Sequence, residues 1–167
     1  MKPWILKKNA GLSYQLNLKN NLYQIIQYIK FLLKSTNQHG VHSPFVYNLV
    51  TKCFYDNSNY NSYINILNYK KELLKNKTKV SVTDLGAGSH VAKQKERSVP
   101  EMAKNAGTAF KRTKLLQRLV KYFEFENILE LGTSLGIATY AMSIENSKTT
   151  ITTVEGCPNI SEFTKQN

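Results

Sequence analysis

The sequence predicts an α/β chain, with an N-terminal helical cap followed by a single βαβ unit that is incomplete as a domain. Three stretches carry this prediction. Asn127-Ile-Leu-Glu-Leu-Gly-Thr-Ser-Leu-Gly136 is an apolar, β-like run that ends in an acid and turns through a glycine loop. Leu135-Gly-Ile-Ala-Thr-Tyr-Ala-Met-Ser143 then opens a helical pattern. Thr149-Thr-Ile-Thr-Thr-Val154 is a second β-rich run, ending on Glu155. A strand, a helix and a strand at this spacing read as a parallel pair with its crossover.

The elements before this unit follow in order. Residues 1–21 have weak periodicity and read as a weakly structured segment. Leu22, Ile25, Ile26, Ile29, Leu32 and Leu33 repeat at helical spacing, while Gln24, Gln27, Lys30 and Lys34 fall largely elsewhere. Such a stripe packs on its own domain or on a second copy, so a homodimer through the N-terminal helices is the expectation; a membrane surface is the competing one. The apolar run is far too short to span a bilayer. Ser43-Pro44 reads as an N-cap followed by proline at the first helical position, opening a helix through Phe54. Another helix is expected from Tyr60 to Lys75, with Asp56-Asn-Ser-Asn59 between the two. Val80–Asp84 reads as a short strand. Ser98-Val-Pro-Glu101 has capping-box spacing and starts a helix through Asn105; Gly107 breaks it, and Lys111–Phe123 is the next helix. The helical cap and its connecting region thus cover residues 22–107, and the βαβ part begins at residue 108.

The glycine loop and the acid after the second strand make a nucleoside-binding pattern. Gly132 permits a left-handed turn and close backbone approach. The N–H groups at the start of the following helix favour an anionic group. Glu155 lies 23 positions after Gly132, near the offset at which an acid accepts hydrogen bonds from ribose hydroxyls. A dinucleotide fold wants G-x-G-x-x-G, and Ser134 stands where its second glycine belongs. A P-loop wants a Gly-Lys-Ser/Thr that does not follow here.

The acid-x-Gly-x-x-x-Gly form, Glu130 to Gly136, resembles the first motif of class I S-adenosylmethionine-dependent methyltransferases. Glu155-Gly-Cys-Pro158, with the helix beginning Asn159-Ile-Ser-Glu-Phe163, resembles that family's second strand end. Lys114-Leu-Leu-Gln-Arg-Leu-Val-Lys-Tyr-Phe123 followed by Ile128-Leu-Glu-Leu-Gly-Thr133 is similar to the entry to its catechol O-methyltransferase-like branch. His39-Gly-Val-His-Ser-Pro-Phe-Val-Tyr47 resembles the N-terminal region of a bacterial branch of the same superfamily. The resemblance implies a Rossmann-like fold of which residues 108–167 are the truncated start. It also implies S-adenosylmethionine as cofactor and methyl transfer, as O-methylation of a small-molecule acceptor. It places Glu130, Gly132, Thr133, Ser134 and Gly136 around the methionine portion and Glu155 on the ribose hydroxyls. Glu130 is expected to order the loop or to meet the amino group through water. The branch's metal-binding acids and acceptor-side residues come after later strands, so no catalytic base and no metal ligand are assigned. Two other functions compete: an inactive truncated product, and a basic interaction module.

That module would use the front half. The net charge is +12, and residues 1–80 carry +10, residues 81–129 carry +4 and residues 130–167 carry −2. A basic region can attract nucleic acid or an acidic surface. Against this, 20 of the 23 basic residues are Lys, alongside abundant Asn, Tyr and Ile, as A·T-rich coding produces. Arginine, the bidentate phosphate reader, occurs only at 97, 112 and 118. Composition therefore outweighs nucleic-acid binding. Cys53 and Cys157 have neither metal nor disulfide spacing, and with no signal-peptide pattern the expected location is cytoplasmic. His39 and His42 read as capping or loop residues, with no acidic or cysteine partner near in sequence. Leu85-Gly-Ala-Gly-Ser89 lacks the helix and acid-ended strand that would make it a second nucleotide loop, and reads as an ordinary turn or a lid. A sheet short of its neighbours is expected to expose apolar surface and free edges, and so to associate.

Overall fold

The structure is a computed structural model, and it describes residues 21–83, 95–105 and 107–166. It is a mixed α/β protein with two small sheets. Two compact units divide the chain between Tyr47 and Asn48. In the first, α1 covers residues 21–34, and a 3-10 turn at Gln38–Gly40 follows. The side chains of the α1 stripe, from Leu22 to Leu33, are exposed. No helix among the described residues is long and apolar enough to cross a membrane.

Helix α2 (Pro44–Leu49) begins where Ser43 and Pro44 predict. The Ser43 hydroxyl accepts from the Val46 N–H, at 3.4 Å. It continues as a π-helical turn, Val50–Phe54, which periodicity does not foretell. Helix α3 (Ser62–Lys75) starts two residues later than expected. The reason is Tyr60, whose hydroxyl donates to Asp56 at 2.6 Å and so belongs to the preceding loop.

Strand β1 (Lys79–Ser81) pairs antiparallel with β2 (Glu96–Ser98), Val80 opposite Arg97. No pattern in the sequence predicts β2. Helix α4 (Val99–Asn105) is entered through Ser98, whose hydroxyl accepts from the Glu101 N–H. Helix α5 (Phe110–Phe123) leads into β3 (Asn127–Leu131), α6 (Ile137–Ser143), β4 (Thr150–Val154) and α7 (Pro158–Lys165). Strands β3 and β4 are parallel, in register from Asn127 opposite Thr150 to Leu131 opposite Val154. They form a sheet of their own, separate from β1–β2.

Helices α3 and α4, which the sequence groups with the N-terminal cap, lie in the same compact unit as the βαβ. Their apolar sides explain this. Leu73 of α3, Val80 of β1, and Val99, Met102 and Ala103 of α4 share one core with Leu135, Ile137, Cys157 and Ile160. A second cluster joins Tyr63 and Ile66 of α3 to Ala141 of α6. Each fully buried Val, Leu, Ile or Met side chain among them contributes roughly 1.5–3 kcal/mol relative to exposure. These contacts bring α3 alongside the glycine loop. The Gly86–Gly88 loop lies outside the described residues.

Candidate functional site

The loop between β3 and α6 is held in a left-handed conformation at three positions. Gly132 has φ +94°, Ser134 +49° and Gly136 +69°. A Cβ added to Gly132 would meet nothing within 4 Å, so what requires glycine there is the backbone angle alone. Gly136 is also tight: its Cβ would lie 3.1 Å from Thr164 Cγ2 and 3.4 Å from Tyr69 Oη. Ser134 carries a side chain at positive φ, which costs of order 1–3 kcal/mol unless its surroundings hold it. They do hold it. Its N–H donates to Glu155 Oε2 at 2.7 Å, and its carbonyl accepts from the Thr164 hydroxyl at 2.6 Å.

Glu155 is therefore bonded to the loop itself. Its other oxygen accepts from the Cys157 N–H at 2.9 Å, so the carboxylate bridges the loop after β3 and the turn after β4. Each oxygen keeps a lone pair for a further donor. Cys157 is buried, with its sulfur accepting from the Thr83 N–H at 3.3 Å.

Glu130 sits under the loop. Its Oε2 accepts from the hydroxyls of Thr139 on α6 and Thr153 on β4, the latter at 2.8 Å. Thr153 is its cross-strand partner in the parallel register. Thr133 joins the same group through a 2.5 Å hydroxyl–hydroxyl contact with Thr153. The N–H groups of Gly132 and Thr133 both reach the Val154 carbonyl, at 2.8 and 3.3 Å. A polar network thus ties the loop, both strand ends and α6 into one rigid piece.

Beside it lies a cavity of about 540 Å³, in the size range of small-molecule sites. Of the six residues that the sequence singles out, Thr133, Gly136 and Glu155 line it. Glu130, Gly132 and Ser134 stand behind or beside that wall and shape it through the bonds above. Sequence reasoning missed the rest. Thr139 and Tyr140 of α6, Thr153 of β4, and Thr164 and Lys165 of α7 also line the cavity. So do Asn65, Asn68, Tyr69 and Glu72 of α3. The α3 residues are spaced i, i+3, i+4 and i+7, which puts them on one helix face. That spacing was visible, but a polar helical stripe reads first as a solvated surface.

Tyr69 anchors the α3 wall. Its hydroxyl donates to the Leu135 carbonyl at 2.8 Å, and its ring lies 4.9 Å from that of Tyr140. Burial pushes the Tyr69 phenol up from its ordinary range, and the Glu72 carboxylate adds to the rise. The phenol is thus a fixed, neutral donor. The cavity offers several hydroxyls and amides, and acidic and basic side chains in Glu72, Glu155 and Lys165. Among the described residues, no cluster of three or more His, Cys, Asp or Glu side chains is arranged to hold a metal ion. No family model, no curated protein and no solved structure matches this chain.

Proposed function

We propose that the β3–α6–β4 unit binds S-adenosylmethionine, as a class I methyltransferase of Rossmann-like type does, and that it serves methyl transfer to a small-molecule hydroxyl. The observation that most supports this is the direct bond between the glycine loop and the acid after the second strand. Ser134 N–H and Glu155 Oε2 meet at 2.7 Å, and Glu155 shares a cavity wall with Thr133 and Gly136. A carboxylate in that position can accept both hydroxyls of a ribose, while Gly132, beside which nothing lies within 4 Å, leaves room for the chain attached to it.

Bound there, the cofactor supplies an electrophilic methyl group on a sulfonium, which becomes a neutral thioether once the methyl has moved to the acceptor oxygen. The part assigned to this chain is to bind and orient. Glu155 holds the ribose end, the loop closes against the methionine portion, and Glu130 keeps the loop in shape through Thr139 and Thr153. Orientation of this kind supplies a large share of the rate in a two-substrate reaction. No described residue is assigned to take the acceptor's proton.

A ligand panel tests this reading. The unfolding temperature of the full chain is expected to rise with S-adenosylmethionine and to stay unchanged with a nicotinamide dinucleotide or ATP. Stabilisation by the dinucleotide or ATP, with none by S-adenosylmethionine, would reverse it.

A further inference from the structure

The cavity has a wall that the nucleoside-binding loop does not account for. It comes from α3, some sixty residues earlier in the chain. Asn65, Asn68 and Glu72 present one polar stripe to the cavity, with Tyr69 among them fixed to the Leu135 carbonyl. Leu73, the next residue, packs in the core with Leu135 and Ile160. Glu72 lies between these two anchors in the helix and lines the same cavity as Thr133 and Gly136 of the loop.

The charged groups lining the cavity are Glu72, Glu155 and Lys165. Glu155 already accepts two backbone N–H bonds. Among the described residues, no hydrogen bond or ion pair engages the Glu72 carboxylate. It is a carboxylate without such a partner, in the lining of the cavity that would receive the cofactor. We infer that Glu72 is a specificity residue for cationic ligands, favouring the sulfonium form of the cofactor over its neutral thioether product. This rests on the S-adenosylmethionine reading of the same cavity. Its consequence is release: once the methyl group has left, the positive charge facing Glu72 is gone, and the product is held less tightly than the cofactor was.

Affinities of the full chain for S-adenosylmethionine and S-adenosylhomocysteine, measured by calorimetry for the native protein and for Glu72→Gln, test this. Glu72 is exposed on α3, and circular dichroism checks that the variant folds as the native chain does. The native protein is expected to prefer the sulfonium, and Glu72→Gln to weaken it about fivefold, equivalent to about 1 kcal/mol. Affinity for the thioether should change by less than about twofold. Equal weakening of both ligands, or no change in either, overturns the inference while leaving the cavity's ligand intact. If neither ligand binds the native chain, the cofactor reading itself has failed, and the role of Glu72 falls with it.

Discussion

Asp56 shows how a single side chain organises a turn in this protein. Its carboxylate accepts the Tyr60 hydroxyl at 2.6 Å and the Ser58 N–H at 2.8 Å. These bonds, the one from Tyr60 first, lower its pKa to about 2. A depressed carboxylate stabilises the fold above its unfolded value of about 3.9, and that contribution is lost as pH falls through about 2. Solvent screens a group this accessible, so the effect is small. The unfolding temperature of the native protein is expected to fall more steeply between pH 4 and pH 2 than that of Asp56→Asn. Parallel acid limbs in the two proteins would remove this role. Glu155 and Ser134 make the corresponding pair at the site, and there the bond fixes a positive φ as well as a charge.

Among the elements, those of the βαβ unit were the most legible. The β3 and β4 runs have apolar and β-branched residues bounded by Gly132 and Glu155, and the helices after them begin at glycine and proline signals. Strand β2 was not legible, because Glu96-Arg97-Ser98 is three residues long and has no apolar alternation. It exists through its pairing with β1. The π-helical turn at Val50–Phe54 and the later start of α3 likewise depend on packing and on the Asp56–Tyr60 bond, which no local pattern announces. The loop and acid of the site were visible in sequence, whereas its α3 wall needed the tertiary fold. Thr153 is the element-level test of the site. Thr153→Val keeps the strand's shape but removes the contacts to Glu130 and Thr133. It is expected to cost about 1–2 kcal/mol of stability, read by chemical denaturation, and to weaken ligand binding with it. Native stability in this variant would mean that the threonine network does not hold the loop.

At the scale of the whole molecule, the β3–β4 sheet is more covered on one face and open on the other. Leu129 is 66% exposed, Leu131 77% and Val154 52%, and all three lie on the same face by strand alternation. Their sequence pattern had implied this, since runs so apolar belong to parallel strands buried on both sides. Exposed apolar faces next to free strand edges favour association. The double variant Leu129→Lys, Leu131→Lys is expected to sediment as a smaller species than the native chain at the same concentration, with cofactor affinity retained. Identical sedimentation would show that this face is not where copies meet.

The proposed function requires that Glu155 and the glycine loop together hold a ribose. A calorimetric titration of S-adenosylmethionine into the native chain and into Glu155→Ala reaches it most directly, with circular dichroism confirming that the variant is folded. Saturable binding to the native protein, weakened about tenfold or more in Glu155→Ala, is the expected result, equivalent to at least about 1.4 kcal/mol. Equal affinity in the two proteins, or no binding to the native chain, would contradict it.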